Sequence, residues 1–101
     1  MEASLAKQHP RTVTPGKRTI FRYQNRKLYD LATGGYVGFP ELFACVMTDE
    51  AFEVIDSVNS NDLTTQVLCS LIFHLSRRGM PMREDMLIDV LKAAGQDATA
   101  L

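Results

Sequence analysis

The sequence is poor in the residues from which metal and disulfide sites are built. Its 101 residues include only two cysteines and two histidines. Cys45 and Cys69 each lie in an apolar helical pattern, and neither has another cysteine or a histidine at the spacing of zinc ligands. We therefore predict no metal site and no cofactor, and we expect both thiols to be buried in a reducing compartment.

Long apolar segments are also missing. The longest uncharged, apolar-rich run extends from Leu63 to Ser76 and is too short to span a bilayer. The first ten residues contain no apolar stretch of the kind found in signal peptides. These features predict a cytoplasmic protein that has no membrane partner.

Motifs typical of enzymes are absent as well. There is no Gly-x-Ser-x-Gly elbow, no His-Glu-x-x-His pair and no phosphate-binding glycine loop ending in Gly-Lys-Ser/Thr. His9 lies near the start of the chain, and His74 is flanked by apolar residues in a predicted helix. Because no nucleophile, base or metal cluster is evident, we predict that the chain is not an enzyme.

Charge is distributed unevenly, although the formal net charge is only −1. Residues 1–30 carry seven Lys or Arg and two Asp or Glu, whereas residues 31–101 carry four basic and ten acidic residues. A basic segment on an acidic body indicates an anionic partner at one end of the molecule, although surface cations can also serve solubility alone.

The chain is long enough for one small domain, which we place at residues 17–95, between a flexible tail of residues 1–16 and a frayed segment of residues 96–101. β-branched and aromatic residues predict a strand over residues 18–23 and a return strand over residues 27–31. Further strands are expected at Tyr36–Val37 and Phe52–Asp56. The pattern predicts an α+β fold in which a small hairpin or meander precedes the helices.

Three helices are predicted after this meander. The first opens near Pro40 and extends to about Met47, the second extends from Thr64 to the arginines before Gly79, and the third covers residues 83–94, with Gly95 at its end. The apolar stripe of the second helix is wider than one small core requires. We predict an oligomer interface on this helix, unless the last helix covers that face. The interface residues are Leu68, Leu71, Ile72 and Leu75.

Basic and aromatic residues alternate along the first hairpin. Arg18, Ile20 and Arg22 share one face of the first strand, and Asn25 lies in the turn that follows. A two-stranded ribbon fits the DNA major groove, where Arg pairs with guanine and Asn with adenine. The alternative is an edge hairpin whose charges prevent pairing with other strands.

The segment Arg18-Thr-Ile-Phe-Arg-Tyr-Gln-Asn-Arg-Lys-Leu-Tyr-Asp30 resembles the opening of the DNA-binding domain of polyhydroxyalkanoate synthesis repressors. Thr33-Gly-Gly-Tyr-Val37 is similar to the turn that follows in that family. Phe52-Glu-Val-Ile-Asp56 and Asp62-Leu-Thr64 are similar to its next segments. The resemblance covers residues 17–95.

This resemblance implies a cytoplasmic transcriptional repressor of polyhydroxyalkanoate granule and phasin genes that binds double-stranded DNA as a homodimer or homotetramer. It also implies association with the polymer, which relieves repression. Within this frame we expect Tyr23, Leu28 and Tyr29 to fix the hairpin on the helices. The expected DNA contacts are Lys17, Arg18, Arg22, Asn25, Arg26 and Lys27.

Two alternatives of other classes remain open. Arg18, Arg22 and Arg26 recur at every fourth position and could bind a phosphorylated ligand such as a cyclic dinucleotide second messenger. Alternatively, the wide apolar stripe of the second helix could bind the granule surface or a partner protein.

Overall fold

The computed structural model describes residues 16–99, which form four strands and three helices. The predicted tail therefore lies outside the described residues, apart from Gly16. The sheet comes before the two long helices, which confirms the predicted α+β class. The elements are β1 (Arg18–Arg22), β2 (Leu28–Asp30), β3 (Gly35–Val37), α1 (Phe39–Met47), β4 (Phe52–Asp56), α2 (Thr64–Arg77) and α3 (Glu84–Thr99).

The chain divides into two compact units, one ending at Leu71 and the other beginning at Ile72. The first unit contains a four-stranded sheet in the order β3-β2-β1-β4. β1 pairs antiparallel with β2 on one side and parallel with β4 on the other. Strand β1 is therefore an interior strand, and the expectation of a free two-stranded ribbon or an edge hairpin is wrong.

Burial in β1 follows from this interior position. Ile20 and Phe21 point to opposite faces of the sheet, and both are buried. Their parallel partners Val54 and Ile55 in β4 are also fully buried. Both faces of the sheet centre are thus covered, which explains why adjacent positions in these strands are apolar rather than alternating with polar residues.

Helix α1 begins with a one-sided cap that its own third residue supplies. The Gly38 backbone N–H donates to Glu41 Oε1 at 2.6 Å, so the acidic side chain lies at the positive end of the helix. Pro40 occupies the first turn, where a missing N–H costs nothing. Leu42 and Cys45 are buried against the same face of the sheet as Arg18, since Arg18 Nη1 contacts Cys45 Sγ at 3.5 Å.

Helix α2 is attached to β4 through its first turn. The Val54 N–H donates to Thr64 Oγ1 at 2.8 Å, and the Leu63 N–H donates to the Val54 carbonyl at 2.7 Å. Asp62 accepts the Thr64 N–H at 2.9 Å and so satisfies one free donor of the helix. Cys69, further along α2, is exposed, so the expectation that both thiols are buried is wrong for this residue.

The second unit contains the end of α2 and all of α3. Gly79 has a φ of 91° and ends α2, as predicted, because this left-handed conformation is readily adopted by glycine. The prediction for α3 is wrong at its end, since the helix continues through Gly95 to Thr99. Gly95 is not among the glycines with positive φ, so it does not form a helix-ending cap.

Candidate nucleic-acid interface

The β1–β2 turn presents the exposed basic residues of the sheet as a defined loop. The Tyr23 N–H donates to the Lys27 carbonyl at 3.0 Å, and the Arg26 N–H donates to the Tyr23 carbonyl at 2.9 Å. Asn25 Oδ1 accepts the Lys27 N–H at 3.0 Å, which closes the loop from within. Three exposed side chains, Asn25, Arg26 and Lys27, are thereby held on a short, hydrogen-bonded hairpin loop.

Arg26 occupies the position of this loop where the backbone turns left-handed. Its φ is 67°, in a region that costs an L-residue about 1–2 kcal/mol and that glycine adopts freely. A three-residue hairpin loop commonly needs one such residue at its end. An arginine here keeps a positive charge at the tip of the sheet in spite of the backbone cost.

Three tyrosines line one face of the sheet next to this loop. Their rings meet edge to face, with centroids 6.2 Å apart for Tyr23 and Tyr29 and 5.7 Å apart for Tyr29 and Tyr36. Burial raises the pKa of Tyr23, and the neighbouring phenols raise it further, so this hydroxyl stays protonated at neutral pH. Tyr23, Leu28 and Tyr29 are half-buried, whereas Tyr36 is 62% exposed.

Lys27 joins the loop to this row of rings. Its Nζ lies 5.4 Å from the centroid of the Tyr36 ring, within the range of a cation–π contact. Between the loop, strand β3 and the start of α1 lies an open groove of about 410 Å³, with Arg26 and Lys27 on its loop side. Tyr36 and Phe39 also line it.

The other predicted DNA contacts lie away from the loop. Arg18 is at the opposite end of β1, about 13 Å from Arg22 along an extended strand. Lys17 is exposed beside it and lines a second, smaller groove with Leu31. Arg18, Arg22 and Arg26 therefore do not converge on a single point, as a site for one small phosphorylated ligand would require.

The Arg18 guanidinium is bound within the sheet. Its Nε donates to Asp30 Oδ2 at 2.7 Å, and its Nη1 donates to Glu50 Oε1 at 3.0 Å. Asp30 is completely buried, whereas the Arg18 side chain is 21% exposed. Burial lowers the pKa of Arg18, but the hydrogen bond and the charge of Asp30, aided by Cys45 and Glu50, outweigh it, so the pKa is raised. Arg18 is thus positioned to neutralise a buried carboxylate.

Arg22 lies nearer the loop and is half-buried. Its Nε is buried and has no hydrogen-bond partner among residues 16–99. Its backbone carbonyl accepts the Ser57 N–H at 3.0 Å, which ties the end of β1 to the turn after β4.

The predicted oligomer stripe on α2 is divided by burial. Leu71 is buried in the core of its own chain, while Leu68 and Leu75 are half-buried. Ile72 is 39% exposed, and the neighbouring Phe73, which widens the predicted stripe without being one of the predicted interface residues, is 63% exposed. The exposed apolar surface of α2 therefore centres on Ile72 and Phe73.

Sequence reasoning missed Tyr36 and Phe39 as lining residues of the groove. Tyr36 pairs directly with Tyr29 across β2 and β3, and this register places the two rings on one face. Alternation along the two strands could have indicated this pairing. The approach of Phe39 depends on the direction in which α1 leaves the sheet, which no local pattern specifies.

Within the described range, no group of His, Cys, Asp and Glu side chains is arranged to hold a metal ion. The same range, residues 16–99, contains no helix that is both long enough and apolar enough to cross a bilayer.

A family model and two known proteins match this chain. Residues 19–79 match the model of the PHB/PHA accumulation regulator DNA-binding domain. An uncharacterized protein of Allochromatium vinosum is 30% identical over 80 residues, which are 78% of this chain and 52% of that protein. An uncharacterized protein in the phbA 5' region of Thiocystis violacea is 29% identical over 79 residues, which are 77% of this chain and 57% of that protein.

The chain therefore spans little more than half the length of these two relatives. No solved structure matches it. The family model covers all four strands, apart from the first residue of β1, together with α1 and α2, so the groove and the basic loop both lie inside the matched region. This chain belongs to the family of PHB/PHA accumulation regulator DNA-binding domains.

Proposed function

We propose that this chain is a sequence-specific, DNA-binding repressor of genes for polyhydroxyalkanoate granules and phasins, and that it acts as a homodimer or homotetramer. The observation that carries the proposal is the basic β1–β2 loop within the family match. Arg26 and Lys27 are exposed there on a loop whose backbone is fixed by three hydrogen bonds. Because the loop backbone is already ordered, contact of these cations with DNA phosphates costs little additional backbone freedom.

In this proposal the loop, rather than the flat face of a β-ribbon, enters the DNA groove. Strand β1 is paired with β2 on one side and β4 on the other, so β1 and β2 do not form an isolated two-stranded ribbon that could lie in the DNA groove. Asn25 has its amide hydrogens available for a base edge, because only its Oδ1 is used within the loop. Arg22, Arg26 and Lys27 contact phosphates or bases, and Lys17 and Arg18 have smaller roles at the far end of β1.

Repression then follows from occupancy of the promoter by an oligomer. Two copies would place two loops on successive half-sites about 34 Å apart, one turn of the double helix. We propose that the polymer relieves repression by competing with DNA for binding to this protein. The exposed apolar residues of α3 support such a role, since Met86, Val90 and Leu91 are all more than half exposed.

The test is fluorescence anisotropy with a labelled duplex from the region upstream of the protein's own gene, against a scrambled duplex, over a salt series. We expect tighter binding to the native duplex and a log–log salt slope of several units. Lys27→Ala should lower affinity for both duplexes and reduce the slope by about one unit.

Lys92→Ala is the matched control, because Lys92 is an exposed lysine on α3. It should leave both affinity and slope unchanged. Equal, weak binding to both duplexes that disappears near physiological salt would contradict the proposal, as would equal effects of the two lysine substitutions.

A further inference from the structure

The groove beside the basic loop has a basic end and an otherwise apolar lining. Arg26 and Lys27 lie on its loop side, whereas Leu28, Val37 and Phe39 give the rest of its lining an apolar character. Its volume of about 410 Å³ is within the range of about 300–1,000 Å³ that is typical of binding sites for small groups. A ligand that fits this lining must be negatively charged at one end and apolar at the other.

The start of α1 contributes little to anion binding in this groove. The Gly38 N–H is already used by Glu41, and Pro40 has no N–H to donate. The Glu41 carboxylate adds negative charge at that end. An anionic group is therefore favoured at the loop end of the groove, next to Arg26 and Lys27, and disfavoured at the helix end.

Tyr36 lines this groove beside Lys27. It lies in the edge strand β3 and is 62% exposed, and its ring meets the Tyr29 ring edge to face. Lys27 Nζ lies over this ring, 5.4 Å from its centroid, so the cation and the ring are direct neighbours. A partner that contacts Lys27 from the groove must also approach this ring.

We propose that the groove holds one sugar–phosphate unit of a DNA strand, with the phosphate between Arg26 and Lys27 and the deoxyribose against the Tyr36 ring. This inference rests on the proposed DNA-binding function and adds a residue and a position to it. Such a unit offers a phosphate to the two cations and the C–H face of a deoxyribose ring to Tyr36. Contacts of this kind position a protein on the duplex without reading the sequence.

The experiment compares Tyr36→Thr with Tyr36→Phe in the duplex-binding assay described above. Threonine favours strands and so preserves β3, whereas phenylalanine retains the ring surface and loses only the hydroxyl. Loss of contact with about half a ring should weaken binding of Tyr36→Thr about five- to tenfold, equally for native and scrambled duplexes. The salt slope of Tyr36→Thr should stay unchanged, and Tyr36→Phe should bind like the original protein.

The outcomes separate this inference from the proposed function. If Lys27→Ala weakens binding but Tyr36→Thr does not, the protein binds DNA and the groove is not occupied by the strand. If neither substitution has an effect, the proposed function fails as well. Free dAMP is the competitor: displacement of the duplex by micromolar dAMP, lost in Tyr36→Thr, would identify a small-molecule site and overturn the inference.

Discussion

Arg26 has an unfavourable backbone conformation and an exposed charge. Two substitutions distinguish the effects of these two properties. Glycine adopts a φ of 67° without strain, whereas alanine retains the strain and removes only the charge. We expect Arg26→Gly to leave the free energy of unfolding unchanged or to raise it by up to about 1 kcal/mol, since relief of strain exceeds the added entropy of the unfolded chain. Arg26→Ala should leave it nearly unchanged.

Both substitutions should weaken DNA binding by a similar factor, because both remove the same phosphate contact. Urea denaturation gives the unfolding free energies, and duplex anisotropy gives the affinities. If either variant unfolds, Arg26 has a structural role and its assignment as a DNA contact is wrong.

The strands and turns of the sheet show how far local sequence determines an element. The positions of β1, β2, β3 and β4 follow from β-branched and aromatic segments between turn residues, and each observed bound differs from the predicted one by at most one residue. The parallel pairing of β1 with β4 depends on contacts between segments more than thirty residues apart, which no local pattern specifies. The adjacent apolar residues Ile20 and Phe21, both buried, are the local sign of an interior strand.

Some parts of the candidate site could also be predicted from the sequence, and others could not. The basic loop could be predicted from the sequence because its cations are neighbours in the chain. The groove could not, because it requires the register of β2 with β3 and the direction of α1. The engagement of Arg18 by Asp30 and Glu50 also requires the folded sheet, since these partners are 12 and 32 residues away in sequence.

At the scale of elements, the Arg18–Asp30 pair joins the start of β1 to the end of β2. Arg18→Ala would leave the Asp30 carboxylate fully buried without its charged partner. We expect the free energy of unfolding to fall by about 3 kcal/mol, which is typical when one member of a buried pair is removed. The exposed neighbour Lys17 is the control, and Lys17→Ala should change stability by less than about 0.5 kcal/mol.

Thermal and urea denaturation of the two variants measure this difference. Equal, small losses of stability would show that the Asp30 carboxylate tolerates the loss of its charged partner and that the Arg18–Asp30 contact is weak. The raised pKa of Arg18 means that the arginine contribution persists below its unfolded-state pKa and is lost only as pH rises through the folded value. Alkaline conditions within ordinary buffers should therefore not release this contact.

At the scale of the whole molecule, the exposed apolar residues on α2 support the proposed self-association. Ile72 and Phe73 expose large apolar side chains beside the half-buried Leu68 and Leu75, which a monomer in water would leave unfavourably hydrated. We expect the protein to elute as a multiple of 11.3 kDa in size-exclusion chromatography with light scattering. Ile72→Glu should shift the mass to that of one chain.

Gln66→Glu introduces the same charge at an exposed polar position of α2 and is the control. It should leave the mass unchanged. A native protein that is monomeric at tens of micromolar, or equal effects of the two substitutions, would exclude this face as the interface. Loss of the oligomer should also weaken binding to a two-half-site duplex, since each copy would then bind alone.

The unequal exposure of the two thiols makes the protein suitable for chemical labelling without mutagenesis. Cys45 is buried in the core and Cys69 is exposed on α2, so a maleimide reagent should modify Cys69 selectively in the folded state. A spin label at this position lies one helical turn from Phe73. Distances between labels on associated copies would then report directly how the α2 helices approach one another, with and without DNA.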